Sequence, residues 1–224
     1  RLDFTLGAPR NEPESLEAAL GQKLTPADAR KCFSCHATNA VSETQELRLE
    51  GLIPGIGCEA CHGPAAAHVA AVKAGQPPQT GIFSPKNMAG DELSQRFCGS
   101  CHRSFEEVMA MPDLGDTGNL RFQPYRLAKS SCYSSDPKDR RISCIACHDP
   151  HEAVVREPAF YDAKCLACHA SSANSPAGAT AKACRTSTKK CSACHLPKTA
   201  IPEAHAQFTD HFIRIVRPGA SYPN

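Results

Sequence analysis

Apolar residues nowhere run to 18 in a row along this chain, and 14 glycines and 18 prolines cut the apolar stretches into short pieces. A membrane-crossing helix needs a run of about that length, so no transmembrane span is expected. The breakers argue for short helices joined by irregular chain. A short helix is expected over 14–20, within an N-terminal arm at 1–24. Thr25-Pro26 reads as an N-cap and first helical residue, opening a helix that delivers Cys32. The Ala-rich stretch 64–74 reads as a helix ending at Gly75, followed by a Pro-containing loop to Gly90. Asp91 is expected to cap a helix leading into Cys98, and 106–111 to form another turn stopped by Pro112. Residues 113–143 read as mostly extended or irregular, 170–183 as a surface linker, and 202–212 as a closing helix before Pro218 and Gly219. Strand signals are confined to one or two short stretches, the best near 212–216. The expected fold class is mostly α, with long irregular loops and little or no sheet.

Composition changes this picture in one respect. Hydrophobic residues make up 41% of the 224 residues, aromatics 6%, and tryptophan is absent. That is a thin core for such a length, and it points to something other than side chains filling the interior. The charge is balanced, 25 Lys and Arg against 23 Asp and Glu, which argues against a nucleic-acid binder. The outliers are 14 cysteines and 10 histidines.

Twelve of those cysteines fall into six Cys-x-x-Cys-His units: Cys32, Cys35 and His36; Cys58, Cys61 and His62; Cys98, Cys101 and His102; Cys144, Cys147 and His148; Cys165, Cys168 and His169; Cys191, Cys194 and His195. This is the attachment motif of c-type haem. Each cysteine adds to a haem vinyl group as a thioether, the two-residue gap keeps both sulfurs on one side of a helical turn, and the next histidine turns back to the iron. Zinc would want a second ligand pair at a longer offset and no histidine after every second cysteine. A disulfide scaffold leaves the six histidines unexplained, and iron–sulfur clusters would need more cysteines per cluster. The pattern therefore implies six covalent c-type haems with iron, and a compact, haem-packed cytochrome in which porphyrins replace much of the ordinary core.

The motifs begin at 32, 58, 98, 144, 165 and 191, an irregular array rather than a strict repeat. The expected organisation is an arm at 1–24, a hexahaem domain at 25–217 and a tail at 218–224. Within the domain, 25–130 carries the first three haems and 131–217 the last three. Haem is attached to such motifs outside the cytoplasmic membrane, so the chain is expected to be exported to the periplasm or the cell surface, with Arg1 a processed end or the start of a fragment. Propionates would turn the balanced chain acidic, and each electron taken up adds negative charge to a low-dielectric body. Some of that uptake is expected to be proton-coupled.

Six irons have twelve axial positions, and the motif histidines fill six. His68, His151, His205 and His211 remain. Bis-histidine ligation consumes such residues, so each is a candidate distal ligand. His68 and His151 lie too close to His62 and His148 to turn back on the same haem, and each should serve a neighbour. Two irons are left without a histidine of this chain. Met88, Met109 or Met111 could ligate, although local packing is the plainer role for each. An iron could be five-coordinate, or a second copy of the chain could supply the ligand. Cys132 and Cys184 lie outside the motifs and are expected to pair as a disulfide in an oxidising compartment, the alternative being two thiols.

Several segments resemble the cytochrome c-554-like multihaem family. They are Cys32-Phe33-Ser34-Cys35-His36 followed by 57–64 and His68; Cys144-Ile145-Ala146-Cys147-His148-Asp149-Pro150-His151; and 191–198 with Phe208-Thr209-Asp210-His211 behind it. Phe122-Gln123-Pro124-Tyr125-Arg126-Leu127 is similar as well. The resemblance implies a mostly α, haem-packed fold, a role in electron transfer, and distal ligation by the histidines at 68, 151 and 211.

Electron transfer through six haems is the leading expectation, with redox proteins as partners. Its sharper form is a filament, a homopolymer in which a neighbouring chain completes the ligation and the arm at 1–24 docks on the next subunit. The alternative is a multihaem oxidoreductase acting on a small nitrogen or sulfur compound at an open iron. No Cys-x-x-Cys-Lys unit is present, so the lysine-ligated haem of pentahaem nitrite reductases is not matched. A carrier or conduit is favoured over an enzyme, and no catalytic residue is assigned.

Overall fold

The computed structural model describes residues 11–21, 23–42, 44–111, 118–136, 138–139, 142–170, 184, 186–201 and 206–216. The chain divides into two units, Arg1–Pro85 and Lys86–Asn224. The described residues are mostly helical, with two small antiparallel sheets, in keeping with the breaker pattern. None of their helices is long and apolar enough to cross a membrane.

In the first unit, α1 (Leu16–Ala19) is capped by Ser15, whose side chain accepts from the Ala18 amide. Helix α2 (Pro26–His36) starts as expected: the Thr25 hydroxyl oxygen accepts from the Asp28 amide at 3.2 Å, and Pro26 opens the first turn. Its last turn is the first Cys-x-x-Cys-His motif. The chain passes directly into β1 (Ala37–Thr38), paired antiparallel with β2 (Ile53–Pro54). Buried Thr38 donates to the Gly55 carbonyl at 2.9 Å and accepts from the Gly57 amide at 2.8 Å, which fixes the start of α3 (Cys58–His62), the second motif. Glu59 accepts from the Ala65 amide at 2.7 Å and so ties α3 to α4 (Ala66–Lys73). That amide, with Asn39, holds the Glu59 carboxyl below its ordinary range. Helix α4 is the expected Ala-rich helix, and Gly75 follows it at φ +74°.

In the second unit, wide-turned helix over Glu92–Cys98 runs into α5 (Gly99–His102). Asp91 does not cap it, contrary to expectation; its carboxylate instead accepts from the Tyr133 hydroxyl at 2.6 Å. A capping box, Ser104 with Glu107, starts α6 (Phe105–Met109). The stretch 113–143 is not uniformly irregular. Among its described residues Asn119–Arg121 forms a 3-10 turn and α7 (Gln123–Ala128) follows. Pro124 sits in the first turn of α7, where its missing N–H costs nothing, and Pro124, Tyr125, Arg126 and Leu127 are buried. The proline that suggests loop here is a helix starter. Helices α8 (Cys144–Cys147), α9 (Asp162–His169) and α10 (Cys191–His195) carry the last three motifs.

The expected closing helix at 202–212 is replaced. Residues 206–209 form β4 (Ala206–Thr209), paired with β3 (Lys198–Ile201) in the register Lys198–Thr209 to Ile201–Ala206, and 202–205 lie outside the described residues. Ile201 is buried, and the β-branched and aromatic residues Thr199, Ile201, Phe208 and Thr209 suit the pleat. The strand expected near 212–216 takes no regular structure. The linker expected at 170–183 lies outside the described residues except for Ala170.

The polypeptide's own core is small. Among the described residues, eight apolar side chains are buried and seventeen large ones are exposed. Val69, Val72, Phe105, Ile145 and Ile215 are among the exposed set, each within four residues of a motif or spare histidine. The apolar surface is thus laid out for burial against something other than this chain's side chains.

Candidate haem-binding site

All six motifs are helical. Cys32, Cys35 and His36 occupy the last turn of α2; Cys58, Cys61 and His62 belong to α3; Cys98 ends the wide-turned segment, with Cys101 and His102 in α5. Cys144 and Cys147 bound α8, with His148 just past it. Cys165, Cys168 and His169 close α9, and Cys191, Cys194 and His195 belong to α10. A helical turn is what brings residues three apart to one face.

Four histidines share one hydrogen-bond pattern. Nδ1 of His62 lies 2.8 Å from the Phe83 carbonyl oxygen and that of His68 lies 3.0 Å from Thr80 O. Nδ1 of His195 lies 2.7 Å from Arg214 O and that of His211 lies 2.9 Å from Thr209 O. A carbonyl oxygen only accepts, so each Nδ1 carries the proton and donates it, and the lone pair is left on Nε2. An imidazole that donates one ring N–H to a carbonyl and holds the other nitrogen unprotonated is the arrangement a metal-ligating histidine adopts. Two of these are motif histidines and two are spare ones. The residues present therefore fit the haem that the motifs imply.

The remaining candidates are placed less uniformly. His151 is exposed, its amide donating to Asp149 Oδ1 at 2.9 Å and its Nδ1 lying 3.4 Å from the same oxygen. His205 lies outside the described residues. His36, His102 and His169 are exposed. The His148 ring lies 5.7 Å from Tyr161, edge to face, and 6.2 Å from the His211 ring, with His102 close enough to act on both. Burial holds both His148 and His211 below the ordinary imidazole range, and the neighbouring imidazoles add to it. Both are thereby kept neutral at neutral pH, the form that ligates.

The motif cysteines of the second unit lie next to one another. The Cys98 thiol is hydrogen-bonded to Cys144, which brings Cys144 down to about 7. Burial pushes Cys147 and Cys165 up, each within electrostatic reach of the other. Burial and the Asp162 carboxylate push Cys191, which is beside Cys165, up to about 11. The third motif thus adjoins the fourth, the fourth the fifth, and the fifth the sixth.

Cationic side chains line one of these sites. A cavity of about 360 Å³ is bounded by Cys101, His102, Arg103, Arg121, Phe122, Gln123 and Phe208. The Arg121 guanidinium lies 5.1 Å over the Phe122 ring, and its Nε is buried with no hydrogen-bond partner among the described residues. Such a group suits an acidic substituent brought by a ligand. Met88 lines a smaller cavity, about 210 Å³, with Leu93 and Ile145; Met109 is exposed and Met111 half-buried. Cys132 and Cys184 are exposed and not joined to each other. Cys132 instead lies within electrostatic reach of Cys147 and Cys165, while Cys184 is held by the Thr186 and Ser187 amides.

Sequence reading misses three supporting residues. Asp162 carries no motif signal, its partners lying 28 and 29 residues away, and Asp210, although it stands in a segment that resembles the family, is marked by nothing local as the partner of a residue 84 positions away. Arg126 stands in the Phe122–Leu127 segment that resembles the family, but nothing local marks it as ion-paired.

The family model described as cytochrome c554 and c-prime matches residues 8–63, a span that includes the first two motifs. The multiheme cytochrome MtrA of Shewanella baltica (strain OS185) is 24% identical over 201 residues, a match that covers 70% of this chain and 59% of the relative. No solved structure matches the chain. The family match and the relative point the same way as the six Cys-x-x-Cys-His motifs, and the chain is accordingly similar to the cytochrome c554-like multihaem c-type cytochromes.

Proposed function

We propose that this chain conducts electrons through six covalently attached c-type haems, outside the cytoplasm, between redox protein partners. The observation that carries the reading is the shared tautomer of His62, His68, His195 and His211, each anchored through Nδ1 on a backbone carbonyl with Nε2 left to ligate. The twelve motif cysteines would hold the porphyrins, and the six motif histidines with His68, His151, His205 and His211 would ligate iron. Bound haem supplies one-electron redox chemistry. The protein's part is to set ligands, burial and spacing. The contiguous cysteines of the last four motifs support short steps between neighbouring centres. Arg103 and Arg121 supply positive charge beside the third motif.

The test is a haem count on the exported, purified chain by pyridine haemochrome and intact mass, followed by a potentiometric titration. Six haems per chain, each lost singly when one cysteine pair is replaced by serine, are expected. Fewer than six, or a pair whose replacement removes none, overturns the reading. In the same sample, an association that disappears on dilution together with low-spin iron would favour the homopolymer. A high-spin iron that persists in the intact protein and turns over a small nitrogen or sulfur compound would favour the oxidoreductase.

A further inference from the structure

His211 stands in a stretch of chain that has no regular structure yet is tied down on every side. Asp210, fully buried, accepts from Arg126 Nε at 2.8 Å and from an Arg126 terminal nitrogen at 2.7 Å, a two-pronged pairing with α7. Arg214 lies 3.6 Å away from the same carboxylate. Asp210 also accepts from the Phe212 amide at 2.9 Å, and its own amide donates to the Pro197 carbonyl at 3.0 Å. Ser130, just past α7, accepts from the Ile213 amide at 2.8 Å and donates to the His211 carbonyl at 3.3 Å. The main chain on both sides of His211 is therefore fixed to α7, to Ser130 and to the residue before β3.

The imidazole so delivered faces a particular neighbour. The His211 and His148 ring centres are 6.2 Å apart, with an angle of 37° between the planes. Two imidazoles on opposite sides of one metal, each with a bond of about 2 Å and about 1.1 Å from the bonded nitrogen to the ring centre, stand about 6 Å apart. His211 has its Nε2 available, because its Nδ1 proton is given to Thr209 O.

We propose that the buried Arg126–Asp210 pair seats His211 opposite His148, so that these two imidazoles are the axial pair of one iron, the one carried by Cys144 and Cys147. The inference rests on the haem reading above. Arg126 and Asp210 are positioning residues: they act by holding the backbone that presents the ligand. His102, which lies near both rings, is the competing partner.

The experiment compares haem-loaded wild type with His211→Ala, Asp210→Asn and Arg126→Lys. It counts haem by pyridine haemochrome, high-spin ferric iron per chain by EPR, and carbon monoxide bound per chain after reduction. His211→Ala should keep every haem, add one high-spin iron and one carbon monoxide site per chain, and return to low spin with added imidazole. Asp210→Asn and Arg126→Lys should give a partial rise at the same iron, also reversed by imidazole. In a Cys144→Ser, Cys147→Ser background, which lacks the fourth haem, His211→Ala should add nothing. An unchanged spin count in His211→Ala overturns the proposal, as does an increment that survives in that background, which would assign His211 to another haem. Wild-type spin counts in both Asp210→Asn and Arg126→Lys overturn the positioning role. A wild-type chain without haem would overturn the haem reading itself, and the haemochrome count registers that separately.

Discussion

A carboxylate on one motif's helix closes the start of the next motif's helix. Asp162, the first residue of α9, is buried and accepts from the Lys190 amide at 2.7 Å and the Cys191 amide at 2.8 Å. Helix α10 has no side-chain cap of its own, and Lys190 before it sits at φ +55°, so Asp162 satisfies amides that nothing local reaches. The Cys191 and Lys190 amides hold the Asp162 carboxyl below its ordinary 3.8. A carboxyl lowered on folding contributes its stability in full above the unfolded pKa, and loses it as pH falls through the folded one. Asp162→Asn, which keeps only one acceptor oxygen, should therefore be less stable than wild type at pH 7. The gap should close as the pH drops below 3.8. Urea midpoints of both proteins at pH 7 and pH 3 check this; a gap independent of pH would mean that the charge does not matter.

At the scale of elements, the second unit ties helices to stretches of chain 28 to 84 residues away, while the first ties them to stretches 12 to 21 residues away. Helix α4 illustrates the latter. His68 on it is oriented by the Thr80 carbonyl, in a loop that returns against the same helix at Gly81. Gly81 has φ +70°, and a Cβ there would lie 3.2 Å from the Ala67 carbonyl carbon and the His68 amide nitrogen. Only glycine meets both demands without strain. Gly81→Ala should cost about 1–3 kcal/mol in denaturant unfolding. It should also loosen His68, seen as added high-spin iron in the haem-loaded protein. An alanine variant with wild-type stability and spin count would show that the loop does not constrain the helix.

At the scale of the whole molecule, the described residues leave more large apolar side chains exposed than buried, and under the haem reading charge beside each centre is a means of tuning it. Arg121 is the clearest case, with its Nε buried beside Cys101 and His102. A fixed positive charge favours the reduced, more negative state of a nearby centre. Arg121→Gln should lower the midpoint potential of the haem on Cys98 and Cys101 by on the order of tens of millivolts, with the other potentials little changed. A spectroelectrochemical titration of wild type and variant measures it, and an upward shift or no shift would remove Arg121 from the electrostatics of that site.

Much of this molecule is legible in its amino-acid sequence because the rules involved are local. A cysteine, a second cysteine three residues on and a histidine directly after need only one helical turn to act together, so the six motifs can be read residue by residue. The same holds for the Thr25-Pro26 start of α2 and the Gly75 stop after α4, because caps act within a few residues. The segment Phe122–Leu127 is legible as a resemblance but not as a helix, because Pro124 reads alike as a breaker and as a first-turn residue. Residues 206–209 read as helix from their own stretch, because the strand partner that decides the matter is supplied by 198–201. The composition and motifs alone determined the likeness to multihaem cytochromes of the c554-like kind. Tertiary structure alone decided that Arg126 meets Asp210 across 84 residues, that Asp162 caps α10 across 29, and that His148 faces His211. Those pairings follow from how packed elements converge, and no periodicity within a short stretch of sequence encodes them.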